Sequence, residues 1–115
     1  MNKTKQGRSN RSRGHAFEVY MTNVLKQYGH EATTARYSSR ELDDLGVDIV
    51  TTAPFNIQCK YVDKLSPGAH DILKAMPNIR GKTNVLAHKR ANKGTIICLS
   101  LEDFADLLLY QPHEH

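Results

Sequence analysis

Residues 46–61 read GVDIVTTAPFNIQCKY, two runs of alternating side chains separated by a proline turn. In the first run Val47, Ile49 and Thr51 alternate with Asp48 and Val50. In the second, Ile57, Cys59 and Tyr61 alternate with Asn56, Gln58 and Lys60. Period two marks a half-buried strand, and Pro54 breaks the chain between the runs. The pattern predicts strands over 47–52 and 56–61, joined as a hairpin-like pair with one face in a core. It also sets a problem. Asp48 lies in an apolar strand, where a charge is expensive unless it is partnered or coordinated. Gln58 and Lys60 share the polar face of the next strand, and cross-strand neighbours are close enough to set them beside Asp48.

The rest of the chain supplies the layers around this pair. Phe17, Tyr20, Met21, Val24, Leu25 and Tyr28 form one apolar stripe at helical spacing, and Gly29 follows as a C-terminal stop. Glu18 sits beside the stripe, near the expected helix start, where a carboxylate meets the favourable end of the dipole. Residues 31–37 are expected as a strand and 38–45 as a polar loop. Ser66-Pro67-Gly68 precedes a short helix around 71–76. Strands over 84–88 and 95–100 flank the basic turn 89–94, and a helix over 101–110 closes the chain. The order α-β-β-β-α-β-β-α predicts an α/β fold with a mixed sheet flanked by helices.

At 115 residues the chain is expected to form one domain over 15–110, between a basic flexible tail at 1–14 and a short tail at 111–115. No apolar run is long enough to span a membrane, and no apolar segment follows the basic N-terminus, so no secretory signal is expected. Cys59 and Cys98 are lone thiols in apolar runs, as expected of buried cysteines in a reducing cytoplasm. The net charge of +4 is concentrated in the tail, where Lys3, Lys5, Arg8, Arg11 and Arg13 meet no acid. Such a segment suits either a solubilising end or an arm that grasps phosphates.

Two carboxylates, an amide oxygen and a lysine form a kit for hydrolysing phosphodiesters. Oxygen donors suit Mg²⁺ or Mn²⁺, which keep several waters and bind phosphate oxygens directly. Such an ion activates water and offsets transition-state charge, while a neighbouring lysine neutralises a phosphate oxygen or orients the water. Taken singly, an Asp and a Lys on adjacent strands also make an ordinary salt bridge.

The combined pattern is more specific. An acid in an N-terminal helix (Glu18), then Gly-x-Asp (Asp48), then a strand bearing x-x-Lys (Lys60), resembles the PD-(D/E)XK nuclease superfamily. Within it, RSRGHAFE, GVDIV, NIQCKY and VLAHKR…GTIICLSLEDF look like the Holliday-junction-resolvase-like and phage endonuclease branch. The likeness spans residues 11–109. It implies a restriction-endonuclease-like core and a Mg²⁺- or Mn²⁺-dependent endonuclease acting on DNA, branched or four-way. Glu18, Asp48 and Gln58 are the implied metal ligands, and these three with Lys60 the implied catalytic set. Gln58 departs from the pattern, which has Glu or Asp there. An amide keeps one carbonyl oxygen for a metal but removes a charge. A non-catalytic DNA-binding protein on the same fold is the alternative. A third reading, a basic RNA-associated protein, accounts for the tail but not for the strand residues.

DNA contacts are expected from the tail (Arg8, Arg11, Arg13), from the segment before the site (Arg36, Ser38, Ser39, Arg40), and from the basic turn (Lys89, Arg90, Lys93). Arg80 and Lys82 extend the last group. The closing helix carries Leu101, Phe104, Ala105, Leu108 and Leu109 on one face, widened by Leu107 and Tyr110. That face is expected to complete the core, with surplus width for a homodimer contact.

Overall fold

Helix α1 carries the face on which the sheet is built. The computed structural model describes residues 3–109, with side chains described from residue 10 onward. Helix α1 (Lys3–Gln27) buries Phe17 and Met21 against Ala32, Ile49, Ile57, Val85 and Ala87, and Leu25, Phe55, Cys59 and Tyr61 pack around that cluster. Each large side chain buried there is worth about 1.5–3 kcal/mol. Gly29, at φ +90°, ends the helix. The His30 amide returns to the Leu25 carbonyl and the Gly29 amide to that of Lys26, the paired bonds of a left-handed cap.

The helix starts far upstream of the apolar stripe. Residues 3–14, read above as a flexible arm, continue α1. Lys, Arg and Gln are good helix formers, and propagation from a packed helix costs far less than nucleating a new one.

The sheet has five strands in the order β1-β2-β3-β4-β5: β1 (Ala32–Thr34), β2 (Ile49–Thr51), β3 (Phe55–Tyr61), β4 (Thr83–Arg90) and β5 (Gly94–Cys98). Its pairings are antiparallel except for β3 with β4, which run parallel from Phe55↔Thr83 to Tyr61↔Lys89. Parallel neighbours need a crossover, and helix α4 (Ala69–Ala75) makes it, burying Ile72. The α/β class and the mixed, helix-flanked sheet are thus present. Two short helices, α2 (Ala35–Ser38) and α3 (Arg40–Asp44), occupy the end of the expected first strand and the expected loop. The Ser39 hydroxyl accepts the Leu42 amide at 3.3 Å and caps α3, a local bond that favours helix starts.

Helix α5 (Leu101–Leu109) begins at Ser100, whose hydroxyl accepts the Asp103 amide at 3.0 Å. The core-completing role expected of it does not hold. None of its residues is buried, and Leu101, Leu108 and Leu109 are 79%, 69% and 80% exposed. Leu99, just before it, takes the place against the core cluster. Among the described residues, no helix is long and apolar enough to cross a membrane. Tyr110, His113 and His115 lie outside the described residues, as does the C-terminal tail.

Candidate active site

Asp48 is held at its backbone from two sides. Its amide donates to the Ile57 carbonyl of β3 at 2.8 Å, and its carbonyl accepts the Ala35 amide of α2 at 2.8 Å. Strand β2 begins only at Ile49, which pairs with Ile57, whereas β3 runs on to Tyr61. The Cys59 amide therefore has a carboxylate in place of a strand carbonyl, and Asp48 Oδ2 accepts it at 2.7 Å. Burial pushes the Asp48 carboxyl up to about 6, with the charges of Glu18 and Asp43 adding to the rise. The Cys59 amide and Lys60 oppose it. The same burial, with Asp48 and Glu18 adding, pushes the Cys59 thiol up and leaves it unreactive.

Glu18 is also buried, 7% exposed. It lies well inside α1, not in its first turn, so the dipole does not account for it. Arg36 does. Its Nε and Nη2 donate to Oε1 and Oε2 of Glu18 at 3.0 Å each, a two-pronged fit of guanidinium to carboxylate. Arg36 in turn is held above its ordinary value by that bond. His15 Nδ1 lies 3.9 Å from Glu18 Oε1, buried and without a hydrogen-bond partner among the described residues, while its ring meets Tyr37 edge-on. The sequence reading passed over His15, although its i,i+3 spacing to Glu18 placed it on the same helix face.

Gln58 and Lys60 lie on the α4 side of β3 and line a cleft of about 380 Å³ with Asp44, Gly46, Asp71 and Ile72. Gly46 matters here. Its φ of +85° suits glycine, and a Cβ there would stand 3.2 Å from Gln58 Oε1. Lys60 also borders a second cleft of about 410 Å³, on the side of Arg13 and Tyr61. The Tyr61 ring has Arg13 5.1 Å and Lys89 5.0 Å from its centre, and Lys89 is 5.9 Å from that of Tyr20. These cation–π contacts hold two cations over Tyr61, the residue after Lys60 in β3. Tyr61 and Tyr20 were not among the residues expected to contact DNA.

Several residues expected at DNA are occupied elsewhere. Arg36 is spent on Glu18. The Ser38 hydroxyl donates to the Thr34 carbonyl and accepts from Thr33, and Ser39 caps α3. Lys82 donates to the carbonyls of Thr51 and Ala53, both at 2.6 Å. His88, not one of that set, is buried against the Val62 carbonyl at 2.8 Å. Arg11, Arg40, Arg90 and Lys93 are exposed, and Arg40 reaches Asp44 only at 4.0 Å. Arg8 belongs to α1, and its side chain lies outside the described residues.

Among the described residues, no three His, Cys, Asp or Glu side chains converge on one point as metal ligands do. Asp48 and Gln58, oxygen donors both, stand on adjacent strands, where the Ile49↔Ile57 pairing sets their residues opposite each other. A small all-oxygen set suits Mg²⁺ or Mn²⁺, which retain water, and a desolvated carboxylate under the field of two more is relieved by a cation. Compared with protein-family models, with characterised proteins and with solved structures, the chain matches none.

Proposed function

We propose that this protein is a metal-dependent endonuclease that hydrolyses DNA phosphodiesters, with branched DNA such as a four-way junction as its substrate. The bond from the Cys59 amide to Asp48 carries the reading, because it ties a desolvated acid to the strand that bears Gln58 and Lys60. The order of the larger elements, α1-β1-β2-β3-α4-β4-β5-α5, agrees with the element order that the resemblance implies and so supports this reading.

Asp48 and Gln58 would hold Mg²⁺ or Mn²⁺, and Glu18 would join them once Arg36 turns away. Bound there, the ion supplies the Lewis acidity that activates water and offsets charge on the phosphate. The chain does the rest. Lys60 sets a cation against a non-bridging phosphate oxygen or orients the attacking water. Arg13 and Lys89, held on Tyr61, take the flanking phosphates, and Arg90 and Lys93 extend that track along the turn. Asp48, fixed at both backbone groups, keeps its oxygens in place without reorganisation. Hydrolysis leaves a 5′-phosphate and a 3′-hydroxyl.

Incubation with linear duplex, flap, nicked and four-way-junction DNA, in Mg²⁺, Mn²⁺ or EDTA, tests the reading. Metal-dependent cutting of branched DNA is expected, abolished by Asp48→Asn or Lys60→Ala with binding retained. Wild-type rates in both variants would sink the assignment.

Two observations favour a second reading, a non-catalytic DNA-binding protein on this fold. Arg36 occupies both oxygens of Glu18, and Gln58 is neutral where the resemblance has an acid. Calorimetric titration with Mg²⁺ or Mn²⁺ separates the two, since binding of DNA alone needs no ion at Asp48.

A further inference from the structure

Among the described residues, three tyrosines stand largely in water, and one of them is fixed beside the candidate site. Tyr20, Tyr28 and Tyr37 are 52%, 79% and 80% exposed. Lys89 lies over the Tyr20 ring. Tyr28 follows the end of α1, ten residues beyond Glu18, which is about 15 Å along the helix at 1.5 Å per residue. Tyr37 is placed differently. Its ring meets that of His15 edge-on, with centroids 5.7 Å apart and planes at 64°. His15 Nδ1 in turn lies 3.9 Å from Glu18 Oε1, and the residue before Tyr37 is Arg36, which grips Glu18.

The residues around Tyr37 are each tied down. Ala35 is fully buried, and its amide donates to the Asp48 carbonyl at 2.8 Å. The Ser38 hydroxyl donates to the Thr34 carbonyl at 3.0 Å and accepts from the Thr33 hydroxyl at 2.8 Å. The Ser39 amide closes the turn on the Ala35 carbonyl at 2.8 Å. Folding thus uses every neighbour and leaves the Tyr37 ring over. With two side-chain torsions, a backbone already fixed and one edge contact, such a ring loses little entropy when something stacks on it. Three residues on, the Arg40 guanidinium is 93% exposed and reaches Asp44 only at 4.0 Å, which leaves it open to a phosphate.

We infer that Tyr37 stacks on a nucleobase left uncovered at a branch, gap or strand end, and so selects branched over continuous DNA. This rests on the endonuclease reading and adds to it the residue that tells substrates apart. In a continuous duplex each base is covered on both faces by its neighbours, and an exposed ring finds nothing to stack on. At a branch a base face is open. Stacking on an aromatic side chain is then favourable whatever the base, because every base has a π-face. Unpaired strands are held by such a ring together with a cation for the backbone, and Arg40 supplies the cation. His15 is a positioning residue, acting on the DNA only through the Tyr37 ring it meets.

Fluorescence anisotropy of the full chain in EDTA, with a four-way junction, a gapped duplex and a continuous duplex of equal length, tests it without requiring cleavage. The wild type should prefer the junction and the gapped duplex. Tyr37→Ala should reduce that preference about tenfold, or 1.4 kcal/mol, within the range for one stacked base. Tyr37→Trp should keep it, and Tyr28→Ala, equally exposed, should change nothing. His15→Ala should lose part of the preference and His15→Phe regain it. 2-Aminopurine at the uncovered position should be quenched by the wild type and not by Tyr37→Ala, with circular dichroism confirming the fold of each variant. No preference in the wild type, wild-type preference in Tyr37→Ala, or an equal loss in Tyr28→Ala would overturn the inference. Cleavage in Mg²⁺ is scored apart. Metal-dependent cutting with unchanged selectivity in Tyr37→Ala defeats the stacking role alone, whereas Tyr37-dependent preference without any cutting upholds it and defeats the nuclease reading alone.

Discussion

Arg36 grips both oxygens of Glu18 at 3.0 Å each, across 18 residues of sequence. The carboxylate is buried and the guanidinium is not, so one exposed cation keeps an interior charge in place. Removing it strands the acid. Arg36→Ala is expected to lower stability in EDTA by about 1–3 kcal/mol, the cost of an unsatisfied buried acceptor, read from urea unfolding. The same variant frees two oxygens for an ion, and Mg²⁺ affinity should rise roughly tenfold, or 1.4 kcal/mol. Unchanged affinity would show that Glu18 is not a ligand.

Asp48 stands at about 6 against an ordinary 3.8, chiefly through burial. Between these values the folded protein holds a proton that the unfolded chain has released. Stability without metal should therefore fall as pH rises from about 4 to about 6 and stay level above. One unit is about 1.4 kcal/mol, so Asp48→Asn should gain up to about 3 kcal/mol at pH 7 in EDTA and nothing below pH 4. Urea unfolding at stepped pH reads the difference between the two proteins. Cleavage should vanish in the variant, and in the wild type it should decline in acid at a pH that falls as Mg²⁺ is raised, because ion and proton compete for Asp48.

Gly46 and Gln58 work as a pair. Gly46→Ala forces a side chain into a left-handed conformation at a cost of about 1–2 kcal/mol and pushes Gln58 from its place, so both stability and Mg²⁺ affinity should drop. Gln58→Glu should do the opposite to affinity by restoring a charge. Calorimetry in Mg²⁺ measures both, and an unaltered constant for Gln58→Glu would mean that this side chain does not face the ion.

Lys82 and Lys93 look alike in the sequence and should behave differently. Lys82→Met leaves two carbonyls without their donor and should cost about 1–3 kcal/mol of stability, with DNA affinity unchanged. Lys93→Ala should leave stability alone and lower DNA affinity, reducing the salt dependence by about 0.9 log units if one phosphate contact is lost. Fluorescence anisotropy at several salt concentrations, beside urea unfolding, separates the roles.

Much of the fold was legible locally. The stripe Phe17, Met21, Val24 and Leu25, the alternation through Gln58 and Lys60, and the turn before α4 each follow from a period or a breaker. The segment 35–44 was misread because a run of Ala, Tyr, Ser and charged residues has no period. Its two short helices depend on contacts that no local pattern records, among them the Ala35 amide on Asp48. The face of α5 was legible as apolar, but its burial was not, since amphipathicity says that a helix wants a partner and not whether its own chain provides one.

By itself the sequence determined which residues share a face and that Asp48 needed a partner, because strand and helix periods are set by backbone geometry alone. Tertiary structure decided who the partners are. The Cys59 amide reaches Asp48 only because β2 does not begin until Ile49, Arg36 reaches Glu18 only because α2 follows β1 on the sheet that α1 covers, and Lys82 turns inward to two carbonyls 31 and 29 residues away. Those bonds join groups far apart in the chain, and their energy is realised only when the layers have packed.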